Sequence, residues 1–289
     1  MLQTTPPSGT FSRQARETQA GAASLSDQEF KQFSDLIYRI AGISMSPTKK
    51  PLVSGRLARR LKLHELASYG EYFSFITSAR GKQELQEAVD ALTTNETHFF
   101  REPKHFDFLR QRVIPHRTAG RTLRIWSAAC SSGEEPYSVA MVLDELLGKD
   151  PWEVTASDIS TRVLDKARSG LFPIERVAEI PKPYLSRYCL KGVDEHDGTL
   201  LIEKTLRDRI RFISHNLTQA PPRLELFDVI FLRNVMIYFD QNTKRQVIHR
   251  LLPLLRPGGY FLIGHSESLN GVTEELRAIA PAIYCKPSA

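Results

Sequence analysis

Two polar runs that each follow an apolar segment place the strongest constraint on how this chain folds. Arg-Asn-Val-Met-Ile-Tyr-Phe at 233–239 follows the strand-like segment 227–232, and Gly-Glu-Glu-Pro-Tyr at 133–137 follows the strand-like segment 123–129. Polar residues at the ends of strands that are distant in sequence are typical of an open α/β sheet, which binds its ligand at the carboxyl edge. The two runs therefore predict such a sheet and a ligand site at its edge.

The second half of the chain alternates between short apolar runs and helical patterns. The strand candidates are 123–129, 153–157, 210–214, 228–232 and 260–264, and the helix candidates include 136–147, 160–169 and 243–255. This alternation favours a parallel-rich sheet with helices on both faces. Arg-Pro-Gly-Gly at 256–259 predicts a turn before the last strand.

Segment 172–210 interrupts the alternation. Its prolines indicate loops, and His196-Asp197-Gly198 is a turn signal between two short strands. We interpret this segment as an insertion that contains a β-hairpin.

The first part of the chain has a different pattern. Residues 1–24 are rich in small and polar residues and are predicted to form a disordered tail. Residues 25–92 repeat apolar positions at helical spacing and predict a small all-helical domain. Ser26 and Glu29 predict a capping box at its start, and Gly42 predicts the end of its first helix.

A basic helix is predicted within residues 47–66. Its apolar stripe is Val53, Leu57 and Leu61, and its cations Arg56, Arg59, Arg60 and Lys62 lie largely off that stripe. From Leu36 to His64 there are seven Lys or Arg residues and no Asp or Glu. A solvated face is the ordinary interpretation of a charge run, but a segment of one sign also favours an acidic partner.

Composition limits the classes to which the chain can belong. It is 41% hydrophobic and 25% charged, and it has neither an apolar run near the ~18 residues that span a bilayer nor the apolar core of a signal peptide. Its three cysteines and eight histidines show no metal-ligand spacing. We therefore expect a cytoplasmic protein without disulfides, membrane insertion or a bound metal.

Two strand ends carry acidic candidates for ligand binding. Glu134 and Glu135 lie between the first strand and a helix predicted to start near Pro136. Carboxylates and free amides can meet a ligand there, although acids are also favoured at helix starts by themselves. Asp158 ends the second strand and can hold both hydroxyls of a ribose, or it can cap the following helix. The glycine pattern of a dinucleotide fingerprint is absent from the first loop.

Further candidates follow the later strands and the helical domain. Asn216 and Leu217 can read an adenine edge and pack on its ring, or they can form an ordinary turn. Arg233 and Asn234 follow the apolar segment 227–232, and Tyr238 lies one helical turn further. Residues 93–101 combine hydrogen-bonding groups with two adjacent phenylalanines, which fits either a helix cap before core aromatics or a part of the ligand site.

Together these motifs resemble those of the CheR family, the chemotaxis receptor methyltransferases. The matching runs are 92–101, 126–129, 132–138, 156–159, 216–217, 233–240 and 264–267. They occur in the order of the family over residues 25–289.

The resemblance implies an α/β fold with a Rossmann-like S-adenosylmethionine-dependent methyltransferase domain at 103–289. A small antiparallel β-subdomain is inserted in it at about 172–210. The all-helical domain 25–92 precedes it, and the linker 93–102 contributes to the cofactor site.

The resemblance also implies the cofactor and the residues that bind it. The donor is S-adenosylmethionine, the product is S-adenosylhomocysteine, and no metal takes part. The implied cofactor residues are Asn95, Thr97, Arg101, Glu135, Asp158, Asn216, Leu217, Arg233 and Asn234. Arg101 and Tyr238 are the candidate catalytic residues, because they can orient an acceptor carboxylate.

The implied substrates are glutamate side chains of methyl-accepting chemoreceptors, which become γ-methyl esters during adaptation. The basic helix with Arg56, Arg59, Arg60 and Lys62 docks the acidic methylation region of the receptor, and the β-subdomain binds a C-terminal pentapeptide of some receptors. We expect a monomer that does not bind nucleic acid.

Two alternatives remain at this point. One is a methyltransferase for a small acid or a nucleic acid, although Val235-Met236 replaces the Pro-Pro that often follows Asn or Asp in enzymes that methylate base amino groups. The other is a binding module that senses S-adenosylmethionine or scaffolds a receptor without turnover.

Overall fold

The structure is a computed structural model that describes residues 23–288. The predicted tail 1–24 lies almost entirely outside the described residues. In chain order the helices are α1 (Asp27–Ala41), α2 (Lys50–Leu63), α3 (Tyr69–Thr77), α4 (Lys82–Leu92), α5 (Lys104–Phe108), α6 (Glu134–Leu147), α7 (Thr161–Ser169), α8 (Lys182–Tyr188), α9 (Lys204–Arg207) and α10 (Gln241–Leu251). The strands are β1 (Leu123–Ser127), β2 (Trp152–Asp158), β3 (Leu171–Pro173), β4 (Cys189–Lys191), β5 (Thr199–Ile202), β6 (Ile210–Ser214), β7 (Phe227–Leu232), β8 (Leu255–Ile263), β9 (Arg277–Ala280) and β10 (Ile283–Cys285).

The helices α1 to α4 form the predicted helical layer at the N-terminal end of the described chain. The Ser26 hydroxyl accepts a hydrogen bond from the backbone N–H of Glu29, and the Glu29 carboxylate accepts one from the backbone N–H of Ser26, so the capping box is confirmed. Gly42 ends α1 in the left-handed conformation, at φ 70°. The apolar stripes of α1 and α2 meet in one core, where Phe33 and Leu57 are fully buried.

The main sheet has the order β6-β2-β1-β7-β8-β10-β9. The strands from β6 to β8 are parallel, and β10 runs antiparallel to both of its neighbours. The chain moves outward from β1 to β2 and β6, and then returns to place β7 beside β1. Strand order therefore reverses between β1 and β7, which is where open α/β sheets form a ligand crevice.

The insertion is confirmed as a small antiparallel β-subdomain. Its strands pair in the order β3-β5-β4, and the turn signal at 196–198 lies in the connection between β4 and β5. Phe172 packs edge to face on Phe99, with ring centroids 4.9 Å apart, and this contact fixes the subdomain against the linker.

The predicted turn at 256–259 is wrong. Residues 256–259 belong to β8, because Gly258 donates to the carbonyl of Lys286 at 2.8 Å and Lys286 donates back to Gly259 at 2.9 Å. The strands β9 and β10 were not predicted. Both strands are short: β10 pairs with β8, and the mostly exposed β9 pairs only with β10 within the described chain.

The helical layer docks on the carboxyl edge of the sheet. Tyr38 donates to Asp240 at 2.7 Å, and Ser44 donates to the carbonyl of Tyr238 at 2.8 Å. A Cβ atom on Gly42 would lie 2.6 Å from Thr243 in α10, so this glycine allows the two domains to approach closely.

Gly42→Ala should therefore destabilise the protein, by about 1–3 kcal/mol, because alanine is strained at positive φ and collides with Thr243. The matched control is Gly55→Ala in α2, where the added methyl group meets no atom within 4 Å and helix propensity predicts a gain of about 0.5–1 kcal/mol. The midpoints of urea unfolding compare the two variants. A Gly42→Ala variant as stable as the parent protein would contradict this close approach.

Candidate active site

A cleft opens at the point where strand order reverses, between the sheet edge and the helical layer. The space inside it, counted out to the open solvent at its mouth, is about 910 Å³. The sequence-predicted residues that line it are Asn95, Thr97, Arg101, Glu135, Asp158, Asn216, Leu217, Arg233, Asn234 and Tyr238. The fold thus gathers in one cleft side chains that lie far apart in the sequence.

Asp158 is placed to accept ligand hydroxyl groups. It ends β2, is buried, and accepts hydrogen bonds from the backbone of Ser131 at 2.9 Å and of Ser160 at 3.0 Å. Burial raises the pKa of Asp158, and these backbone donors oppose the rise. A carboxylate has about four acceptor positions, so capacity remains for two further donors. Ser160 caps α7, so capping of that helix does not account for Asp158.

Arg233 lies at the centre of a buried ionic chain. Its guanidinium group contacts Glu135 at 3.0 Å and Glu102 at 3.2 Å, and its side chain is 2% exposed. It also donates to the carbonyl of Arg101. Burial raises the pKa of Glu135, opposed chiefly by Arg233. Burial also acts to raise the pKa of Glu102, but Arg233 and hydrogen bonds outweigh it and lower that pKa.

The two adjacent glutamates of α6 point to different places. Glu135 lines the cleft and accepts a hydrogen bond from Ser127 at 2.6 Å. Glu134 is fully buried, pairs with Arg176 of the β-subdomain at 2.9 Å, and accepts from Ser132. Glu135 is therefore the member that lines the cleft, and Glu134 connects the two parts of the domain.

Glu267 holds the loop that follows β7. Its carboxylate accepts hydrogen bonds from the backbone of Gly264 at 2.7 Å, Asn234 at 2.9 Å and Ile237 at 3.3 Å. Asn234 has φ 57°, a left-handed conformation that needs such support. Glu267 thereby fixes the position of Tyr238, one residue beyond Ile237.

Sequence reasoning assigned no role to Glu102 or Glu267. Signals for both were present, because Glu102 follows directly after the run 92–101 and Glu267 lies within the run 264–267. Their carboxylates accept hydrogen bonds from backbone and side-chain donors of other segments. The sequence alone does not show that those donors lie nearby.

The side chain of Asn216 is used by the fold. Its amide donates to the carbonyl of Ile40 at 2.6 Å, and its oxygen accepts from Thr218 at 2.8 Å. Asn216 therefore joins the helical layer to the cleft, and its backbone carbonyl accepts from Gln219 at 2.9 Å. Leu217 is buried and gives the cleft an apolar wall.

Segment 93–101 is both linker and cleft wall. The carbonyl of Asn95 accepts from Ser131 at 2.7 Å, and Arg101 donates to the carbonyl of Glu96 at 3.0 Å. Phe99 is fully buried in the core of the methyltransferase domain. The predicted helix cap is wrong, because the next helix, α5, begins only at Lys104. The aromatic residues of the run pack in or against the core, and several of its polar residues line the cleft.

The basic helix α2 divides its cations between two roles. Arg56 donates to the carbonyls of Leu92 at 2.9 Å and Thr93 at 3.1 Å, and Arg60 pairs with the buried Glu84. Arg59 and Lys62 are exposed, and within residues 23–288 neither takes part in a salt bridge.

Comparison with known proteins agrees with this arrangement. The family model "CheR methyltransferase, SAM binding domain" matches residues 95–285, and "CheR methyltransferase, all-alpha domain" matches residues 28–93. The chain belongs to the CheR methyltransferase family. The resemblance inferred from the motifs is thereby confirmed, and with it an S-adenosylmethionine-dependent methyltransferase fold behind an all-helical domain.

Relatives extend over nearly the whole chain. It is 43% identical to chemotaxis protein methyltransferase 2 of Pseudomonas aeruginosa, across 89% of this chain and 92% of the relative. It is 40% identical to the chemotaxis protein methyltransferase of Salmonella typhimurium, across 96% of each. A solved structure of the N-methyltransferase NodS with S-adenosyl-L-homocysteine is distant, at 16% identity and a TM-score of 0.39 over 71% of this chain and 98% of that one. In the part of this CheR family member that the structure describes, no helix has the length and apolarity to cross a membrane.

The network around Glu84 generates a pH-dependent prediction. Burial acts to raise the pKa of Glu84, but hydrogen bonds from Arg60, Tyr72 and His64 outweigh it and lower that pKa to about 2. Because the folded pKa is below the unfolded value, the stabilisation is complete above about pH 4.5 and is lost as the pH falls towards 2.

Glu84→Gln should therefore lower the free energy of unfolding by about 2–4 kcal/mol at pH 7, and by progressively less below pH 4.5. Glu87→Gln is the control, because Glu87 contacts the same Arg60 at 3.3 Å but is 43% exposed and should contribute under about 1 kcal/mol. Urea unfolding at pH 7 and pH 3 measures both. A deficit for Glu84→Gln that is equal at the two pH values would contradict the assignment.

Proposed function

We propose that this protein transfers a methyl group from S-adenosylmethionine to the γ-carboxylate of glutamates in the cytoplasmic part of chemoreceptors. Membership of the CheR methyltransferase family and relatives named chemotaxis protein methyltransferase support the reaction class. The observation that carries the proposal is one cleft that combines nucleoside-binding groups with Arg101 and Tyr238.

The residues of the cleft fit the proposed cofactor. Asp158 has free acceptor capacity for the ribose hydroxyls, and Leu217 offers an apolar surface for the adenine. Glu135 can accept from the amino group of the methionine part, and Arg101 can meet its carboxylate. Arg233 holds Glu135 in place and, being bonded to two carboxylates and a carbonyl, acts as an organiser of the site.

The proposed reaction does not require the protein to remove a proton from the acceptor. A glutamate with an ordinary pKa of ~4.3 is already ionised at neutral pH, so no strong base is required. S-adenosylmethionine supplies a methyl group on a positively charged sulfur. Charge diminishes during the displacement, so the site works by aligning the acceptor and removing its water.

Arg101 and Tyr238 have the positioning roles in this proposal. A dry ion pair between Arg101 and the acceptor carboxylate would stabilise the ground state and weaken the nucleophile. Arg101 is only partly buried and donates to the carbonyl of Glu96, which suits a guiding contact. Tyr238 donates one neutral hydrogen bond to the acceptor, and Glu267 fixes its loop.

The receptor is proposed to dock on two surfaces. Arg59 and Lys62 on α2 attract the acidic methylation region, while Arg56 and Arg60 support the helix from within. The β-subdomain offers a C-terminal receptor pentapeptide the outer edges of β3 and β4, each of which pairs only with β5 within the described chain. The enzyme acts as a monomer and binds no nucleic acid in this proposal.

The decisive experiment is transfer of radiolabelled methyl from S-adenosylmethionine to membranes that contain chemoreceptors, followed by mild base. Label released as volatile methanol is expected, because a carboxyl methyl ester is base-labile. Base-stable label would contradict a carboxylate acceptor. Binding of S-adenosylhomocysteine without any transfer would favour the binding-module alternative.

Two substitutions should separate cofactor binding from turnover. Asp158→Asn is expected to weaken S-adenosylhomocysteine binding about 10- to 100-fold, the effect of losing hydrogen bonds to a charged group. Tyr238→Phe should leave that affinity within about twofold and lower kcat by about 10-fold or more. Calorimetry and the methanol-release assay measure the two effects. A Tyr238→Phe enzyme with unchanged kcat would remove Tyr238 from the mechanism.

Charge reversal tests the docking helix. Arg59→Glu combined with Lys62→Glu should raise the KM for receptor membranes about 10-fold at low salt, with the difference shrinking as salt is added. The control is Lys149→Glu combined with Arg112→Glu, which reverses two exposed charges outside the helical domain. Equal effects of the two changes would mean that overall charge, and not α2, attracts the receptor.

A further inference from the structure

His105 is a buried imidazole that the proposed reaction does not use. It lies in α5 and is fully buried, and neither ring nitrogen has a hydrogen-bond partner among residues 23–288. Buried polar side chains are ordinarily paired, so an imidazole without a partner calls for a ligand.

Two other metal-ligating side chains lie beside His105. They are Glu102 and His265, and one ligand atom from each of the three residues lies within 4.8 Å of the others. Nδ1 of His105 is 3.5 Å from Oε2 of Glu102, and Nε2 of His265 is 4.0 Å from the same oxygen. Donors around a tetrahedral zinc ion, with bonds of about 2.0–2.1 Å, are roughly 3.3 Å apart, so closure needs movements of about 1 Å.

The ligand set itself is chemically coherent. Two imidazoles and one carboxylate are the protein ligands of open zinc sites and of several other transition-metal sites. Glu102 and His105 are three residues apart at the start of α5, and His265 follows β8 at the sheet edge. His265 has a side chain 41% exposed, which gives an ion a path from solvent.

We propose that Glu102, His105 and His265 bind a divalent transition-metal ion of the zinc type at the rim of the cleft. None of the three residues is among the proposed cofactor contacts, but Glu102 links the metal site to two of those contacts. Glu102 also contacts Arg233 at 3.2 Å and the side-chain amide of Asn234 at 3.3 Å, and both of these residues line the cleft. Arg233 opposes a cation here, whereas the carboxylates of Glu102 and Glu135 favour one.

Because Glu102 contacts residues of the cleft, binding of the ion should oppose binding of the cofactor there. A metal bond to this carboxylate weakens its contacts with Arg233 and Asn234, and the ordered cleft in turn holds Glu102 away from the metal. Binding of S-adenosylhomocysteine should therefore weaken zinc binding, by about 5- to 150-fold for couplings of ordinary size.

Calorimetric titration of the full chain with Zn²⁺ tests the site, and the absorption of Co²⁺ reports its coordination. We expect one saturable site, and we expect His265→Ala to weaken Zn²⁺ binding at least about 10-fold. This variant should remain folded, because the side chain is partly exposed and the backbone N–H of residue 265 still donates to Glu102. Its thermal unfolding without metal checks that point. His249→Ala, which removes an exposed histidine of α10, should leave zinc binding unchanged.

Other outcomes overturn the proposal. Equal zinc affinity in the parent protein and His265→Ala, or equal losses in His265→Ala and His249→Ala, would mean an adventitious ion only. No saturable binding would exclude the site. Zinc affinity that is the same with and without saturating S-adenosylhomocysteine would disprove the antagonism through Glu102. A chain that binds no S-adenosylhomocysteine would argue against the proposed function, and the comparison of zinc binding between the parent protein and the two histidine variants would still test the metal site.

Discussion

The buried guanidinium group of Arg233 is the contact on which the rest of the site depends. It joins the end of β7 to Glu135 in the first turn of α6 and to Glu102 at the end of the linker. Removing one member of such a buried pair leaves an uncompensated charge, at a cost of about 3–5 kcal/mol. Three segments are thus held in one geometry, and Glu135 can face the cleft only while Arg233 balances it.

The helical domain is hydrogen-bonded to the loops that line the cleft. Ile40 and Ser44 bond to residues of the cleft loops, and Asn216 and Tyr238 are their partners. On the same domain, Arg56 of α2 holds the carbonyls that precede Asn95. In the proposed function, a receptor bound on α2 would therefore lie on the helix whose Arg56 fixes the start of the linker. Receptor docking and cofactor binding would then depend on the same contacts.

Several sequence interpretations held because they rest on local physics. Capping by Ser26 and Glu29, the left-handed Gly42 and the strand Ile210–Ser214 all depend on a few adjacent residues. The wrong turn at 256–259 has the opposite cause, since its glycines are recruited into β8 by pairing with the distant Lys286. Proline and glycine predict a turn reliably only where their backbone groups do not pair with a strand that is distant in sequence.

The sequence by itself determined the alternation of strands and helices, the polar strand ends, and the motifs that identify the family. Only the tertiary structure decided which of these side chains line the cleft. It turned Glu134 away and Glu135 inward, assigned Arg56 to carbonyls and left Arg59 to solvent, and brought His105 beside His265. The reason is physical: spacing along the chain fixes local conformation, whereas burial and pairing between remote segments fix which polar groups remain free.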